Sequence, residues 1–354
     1  MNKYAKRYFI DAMSGMAQGL FASLLVGTIV RTLGLRLLKI SDIPPFQFLV
    51  TAGNFAMNAN VVGAAMAVGI GFSMHVDPLV LFSLATIGAA ANVTGGAGGP
   101  LAVLFIAIIA AELGNLVSKK TKIDILVTPL VTILSGILLT VLFAKYLGIA
   151  ASSIGNIVMW ATTLRPFIMG IIVSAVIGIA LTLPISSAAI CSAFGLVGLA
   201  GGAAVAGCCA QMVGFAVMSF KENKTSGLLS QGLGTSMLQM PNIIKNPLIW
   251  IPPTLASMIT GPIATCIFKM EMNGAAISSG MGTCGLVGPI GVITGWFSPS
   301  EQAVANGASA ISPGGFDWLG LVLICVVLPA VLSLLFGNIL RKLGWIKDGD
   351  LKLS

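Results

Sequence analysis

The sequence predicts an all-α polytopic membrane protein of about ten transmembrane helices with re-entrant segments. Three observations predict it. The 354 residues are 56% hydrophobic and 8% charged, against about 25% charged in a soluble domain. Several apolar runs reach the roughly 20 residues that a bilayer span requires. Finally, the nineteen Lys and Arg gather mostly at the ends of those runs, where positive charge sets orientation. The formal charge of +8 is therefore read as topology and not as a nucleic-acid patch.

In chain order, apolar segments fall near 9–38, 46–74, 78–94, 98–117, 123–148, 166–184, 186–220, 247–268, 273–297 and 316–340. The opening MNKYAKRYF carries Lys3, Lys6 and Arg7 with no cleavage-type site after the apolar run, so it reads as a cytoplasmic N-terminus entering a retained helix. Lys119, Lys120 and Lys122, then Arg341, Lys342 and Lys347, mark cytoplasmic loops at the middle and the C-terminal end. Arg31, Arg36 and Lys39 follow the first span and fit that rule badly. The run 186–220 is too long for one span, and Gly201-Gly202 is the expected break. NVTGGAGGP, 92–100, reads as a tight turn between spans.

Three matches in the same order suggest an internal repeat with halves 9–148 and 166–297. Gly19-x₃-Ser23-x₃-Gly27 matches Gly170-x₃-Ser174-x₃-Gly178, GAAMAVGIG (63–71) matches GAAVAGCCA (202–210), and SGILLTVLF (135–143) matches TGPIATCIF (260–268). Small residues four apart let helices approach closely in any membrane protein. Five spans between the copies would invert the halves.

Irregular chain at membrane depth survives only inside protein or along a watery cavity, so the broken apolar segments are the candidate site. MLQMPNIIKNPLIWIPPTLASMITGP, Met237 to Pro262, holds five prolines. Pro241, Pro247, Pro252 and Pro253 argue against one continuous helix, and Gln239, Asn242 and Asn246 supply donors and acceptors. Asn273 to Gly291 is glycine-rich and offers Ser278, Ser279 and Thr283. Thr51 to Asn60 offers Asn54 and Asn58, one helical turn apart. Such amides and hydroxyls suit a neutral polyhydroxylated solute better than an ion, since little charge must be desolvated. The alternative is that the same groups bind helices to one another. Segments 226–246 and 273–291 are expected to enter the membrane without crossing it as regular helices.

Ionisable candidates are few. Glu112 lies within an apolar run, where a carboxylate is costly, and Glu271 and Glu301 flank the glycine-rich segment; each is a candidate coupling or cavity carboxylate. His75, the sole histidine, sits with Asp77 in HVDP at a span end and reads as a loop residue. The six cysteines have neither metal nor disulfide spacing and read as buried small hydrophobes. No nucleotide loop, zinc spacing or nucleophile elbow is present, so no catalytic residue, metal or cofactor is expected.

At Gln239 to Ser257, QMPNIIKNPLIWIPPTLAS, the sequence resembles the membrane subunit, enzyme IIC, of the sugar phosphotransferase system. Lactose- and cellobiose-type members carry a Pro, a few aliphatics, Asn-Pro and then Ile-Pro, here Pro241, Asn246-Pro247 and Ile251-Pro252. The chain resembles a short IIC-like branch that includes proteins described as clostridial toxin regulators. The resemblance implies a homodimeric sugar transporter of the bacterial cell membrane, with separate IIA and IIB proteins as phosphate donors, and the basic clusters at both ends are expected to place both termini in the cytoplasm. Members place a sugar-binding Glu just before this run, whereas Leu233 to Leu238, LGTSML, has no carboxylate. Two other readings follow: a membrane sensor or regulator that keeps the fold without transport, and an ion-coupled carrier.

Overall fold

The computed structural model describes residues 4, 6–38, 41 and 43–353. Lys3 and Lys39 of the basic clusters lie outside the described residues. The chain divides into two compact units, Met1–Ala151 and Ser152–Ser354. Among the described residues there is no strand, only an isolated antiparallel bridge between Gly198 and Met272. It is an all-α polytopic membrane protein.

In the first unit, α1 (Lys6–Leu38) is followed by a pair, α2 (Pro44–Ala56) and α3 (Ala59–Ser73), bent by 58°. Asn58 sits in that bend with φ −58° and ψ 131° and caps α3 by accepting from Asn60 N–H at 2.9 Å. The helix therefore stops between Asn54 and Asn58, which corrects their expected place on one helical face; the cap stabilises the break. Pro78 opens α4 (Pro78–Gly95), and α5 (Gly99–Val117) packs back against it. The turn between them is the expected one, and Gly96, at φ +51°, adopts a backbone conformation that a side chain would strain. The long helix α6 (Asp124–Thr162) starts in this unit. Its outer face exposes Ile125, Leu130, Leu134 and Val141, apolar surface suited to lipid.

The second unit centres on α9 (Gly198–Met218), which is buried almost all round. Around it lie α7 (Pro166–Thr182), α12 (Pro247–Ile267) and α15 (Gly315–Lys342). The short α8 (Ser187–Ala193), α10 (Phe220–Leu229), α11 (Met240–Lys245), α13 (Val287–Phe297) and α14 (Glu301–Ala305) complete it. The break in 186–220 falls at 194–197, with Gly195 inside it at φ +61° and Gly198, the first residue of α9, at φ +66°, and not at Gly201-Gly202, which lies inside α9. Those two glycines serve close packing instead of a turn. The proline-rich run is also less broken than expected. Its interruption is at Asn246, with φ −139° and ψ 92°. From there Pro247–Ile267 is one helical stretch, because Pro252 and Pro253 occupy an α-helical first turn that has no use for their missing N–H groups.

Six helical stretches among the described residues are long and apolar enough to span a bilayer, seven with the bent pair. Beside them stand the shorter apolar helices Pro166–Thr182 and Cys284–Phe297, and the stretch Pro78–Val117, counted once, is α4 and α5 folded back on each other at Gly96. Segments 226–246 and 273–291 are both interrupted, by π and 3₁₀ turns at Ser230–Gly234, Ser236–Gln239, Ala276–Gly280 and Cys284–Leu286.

Two of the three repeat matches fall on comparable helix pairs. In one unit α1 packs on α3 with Gly19 against the Ala65 backbone; in the other α7 packs on α9 with Gly207 against the Ser174 backbone. The third match differs. SGILLTVLF lies on α6, which packs on α4 and α5, whereas TGPIATCIF lies on α12, which packs on α7 and α9. π turns also interrupt the long helices at Phe21–Leu25, Thr140–Ala144 and Leu323–Val327, and another, Ile263–Ile267, ends α12.

Candidate substrate cavity

After α12 the chain leaves the helical geometry, with Lys269 at φ +46°. Met270 N–H returns to Ala264 O at 2.8 Å, and Met272 and Gly198 exchange two backbone hydrogen bonds at 3.0 and 3.1 Å. This pins the extended stretch Met270–Asn273 across the start of α9. Gly202 makes the approach possible, since a Cβ there would lie 1.8 Å from Met270 O. Asn273 is buried, its carbonyl accepting from Ser300 N–H at 2.8 Å. On the far side Trp296 packs edge-on against Trp318, ring centroids 4.9 Å apart, and Phe268 lies 4.8 Å from Phe316.

Two cavities flank this stretch. One, of about 210 Å³, is lined among others by Phe268, Lys269, Glu271, Asn273, Trp296 and Asp317. The other, of about 300 Å³, lies beside Val197–Leu199 and Asn306 and shares Glu271, Asn273, Gly307 and Ala308 with the first. Glu271 Oε2 accepts from Asn273 Nδ2 at 2.8 Å, which orients the carboxylate and leaves lone pairs for a ligand. Asp317 Oδ2 accepts from Gly314 N–H at 2.8 Å and so is partly committed to starting α15. A carboxylate, an amide and an indole in a space this small can accept from hydroxyls, donate to them and cover the apolar face of a ring.

Of the residues expected from the sequence, Glu271 lines both cavities. In the second unit Gln239, Asn242 and Asn246 are brought together, but around a strap, Trp345–Leu353. Gln239 Nε2 donates to Leu351 O at 2.9 Å, Asn242 Nδ2 to Lys352 O at 2.9 Å, and Asn246 Nδ2 to Trp345 O at 2.9 Å and Asp350 Oδ2 at 2.8 Å. Ser279 Oγ donates to Leu196 O at 2.6 Å, Thr283 Oγ1 to Gly232 O, and Ser278 is buried against Gly291. Glu301 is exposed in the first turn of α14, after the cap Ser300. In the first unit Asn54 Oδ1 accepts from Arg31 Nε at 2.7 Å, and Glu112 pairs with Arg7 at 2.9 Å. Asp77 pairs with Lys119, which together with Ser118 holds its carboxyl below the usual range.

Asn273, Trp296, Asn306 and Asp317 were not singled out as site residues from the sequence. A usable signal existed: the apolar, glycine-rich run 273–297 is bordered by KMEMN (269–273) on one side and by the polar loop 298–315 on the other. A sequence profile described as phosphotransferase system, EIIC matches residues 10–353. Among curated proteins none matches the chain.

Proposed function

Because the chain belongs to the EIIC family of the phosphotransferase system, and is thereby a membrane component of sugar transport, we propose that the Glu271 cavity binds the transported solute. The solute is a neutral sugar or a related small polyol. The observation that carries this reading is the pairing of Glu271 with Asn273 in a cavity walled by Trp296. Glu271 accepts hydroxyl protons while the Asn273 amide fixes the carboxylate, and Trp296 covers the apolar C–H face of the ring. Glu271 and Asp317 outweigh Lys269 in the lining, which disfavours an anionic solute.

In this reading the protein is a homodimer in the cell membrane with both termini cytoplasmic, and separate IIA and IIB chains supply phosphate. The expected amides act elsewhere: Gln239, Asn242 and Asn246 hold the strap, and Asn58 caps a helix.

The test is equilibrium binding of a panel of neutral sugars and polyols to purified protein, with thermal stability measured alongside. Glu271→Gln should weaken binding about 5- to 150-fold, the equivalent of about 1–3 kcal/mol, with little change in melting temperature. Trp296→Leu should weaken binding in the folded protein and also lower the melting temperature, since Trp296 is buried against Trp318. Unchanged affinity in both folded variants would remove the site assignment.

A further inference from the structure

The strap Trp345–Leu353 lies against a groove built from the irregular segment 219–246. Four side-chain amides hold it, almost entirely by its backbone. Asn223 donates to Leu351 O at 2.8 Å and accepts from Leu353 N–H at 2.9 Å. Gln239, Asn242 and Asn246 take Leu351, Lys352 and Trp345 carbonyls, all at 2.9 Å. The amides are themselves linked: Gln239 donates to Gln231 Oε1, Asn242 to Gln239 Oε1, and Gln231 to Ser219 Oγ, each at 2.8 Å. Two apolar side chains anchor the strap, Ile346 and Leu351, at 2% and 0% exposure. At the rim, Asp348 bridges Lys221 at 2.9 Å and Arg341 at 3.1 Å, and Arg341 reaches the buried Glu222 at 2.8 Å.

The segment receiving the strap holds little of its own. It is a π turn, a 3₁₀ turn and a six-residue helix in succession, pieces too short to be stable helices alone. Its buried amides need partners, because an unpaired buried donor costs a desolvation penalty that a bonded one does not. The strap provides them.

We infer that Trp345–Leu353 is a displaceable latch that holds segment 227–246 in its present conformation. Strap and segment form one cooperative unit, distinct in stability from the buried helix α9. Its grip is by backbone carbonyls, which gives affinity with little dependence on strap sequence beyond the Ile346 and Leu351 anchors. When the latch leaves, Gln239, Asn242 and Asn246 lose their carbonyl partners together, and the segment is released as a whole. This inference is independent of which solute the Glu271 cavity takes.

Hydrogen exchange of the full-length protein in lipid nanodiscs tests it. In the unaltered protein, amides of the strap and of 227–246 should exchange through a shared opening less costly than that exposing α9. In Leu351→Asp, exchange of both should rise about tenfold or more while α9 stays as protected as before. The inference is overturned if the strap exchanges only together with α9, or if it frays with 227–246 unaffected. It is also overturned if Leu351→Asp deprotects α9 to the same degree. Should that variant fail to fold, the unaltered protein alone decides between a shared local opening and a global one.

Discussion

Gly202 on α9 lies directly against the carbonyl of Met270, so that a Cβ at position 202 would come within 1.8 Å of that oxygen. The obstacle is backbone pinned by the Gly198–Met272 bridge and cannot swing aside. Gly202→Ala is therefore expected to push the 270–273 stretch off α9, costing about 1–3 kcal/mol of stability and displacing Glu271. Gly315→Ala, where nothing lies within 4 Å, should be neutral or slightly stabilising. Melting temperature and solute affinity on both variants check this, and equal behaviour of the two would contradict it.

Asn58 is expected to matter for folding. Asn58→Ala removes the cap of α3 and should cost about 0.5–2 kcal/mol, while Asn58→Asp or Asn58→Ser should restore most of it. Thermal unfolding of the three variants reads the outcome. A loss of solute affinity with unchanged stability would point instead to the amide as a ligand.

Gln211 is fully buried in α9 and joins three elements. Its Oε1 accepts from Trp250 Nε1 at 3.0 Å and Thr182 Oγ1 at 3.3 Å, and its Nε2 donates to Thr254 Oγ1 at 3.2 Å. Gln211→Leu strands those partners and should destabilise by about 1–3 kcal/mol. The double variant Gln211→Leu/Trp250→Phe should recover part of that loss, since it removes an orphaned donor together with its acceptor. No recovery in a double-mutant cycle would argue against the network.

Lys221, with Arg341 adding to it, holds the Asp348 carboxyl below its ordinary value. A group whose folded pKa is depressed contributes stability above its unfolded pKa and loses it as pH falls through the folded one. Strap protection should accordingly be flat from about pH 5 to 8 with respect to Asp348 and decline below about pH 4. Asp348→Asn should flatten that acid limb. The pair is exposed, so raised salt should weaken the same protection; exchange rates across pH and salt measure both.

The class of fold was legible because lipid leaves a chain few choices: 8% charge and long apolar runs cannot face water. The position of breaks was less so. Glycine serves a left-handed turn and a close packing contact equally well, and nothing local separates Gly195 and Gly198, which turn, from Gly201 and Gly202, which pack. The amides posed a similar ambiguity. Gln239 looks like a ligand residue in sequence because the carbonyl that satisfies it belongs to Leu351, 112 positions away. Glu271 was legible as a carboxylate beside a broken segment, whereas Trp296 and Asp317 join it only through the packing of α13 and α15 around the 270–273 stretch.

The π turns have a further consequence. Each carries one residue more than an α turn, so the helical faces before and after it are out of step in sequence while remaining aligned in space. A π turn is in effect a tolerated one-residue insertion. Removing Val141 from Thr140–Ala144, on the exposed side of α6, should restore an ordinary α turn and leave both flanking faces where they are. The same deletion a few residues earlier, within Asp124–Leu139, would rotate everything beyond it by about 100°. Length variation among relatives of this chain should therefore concentrate at these turns, as single-residue gaps inside helices where alignments ordinarily forbid them.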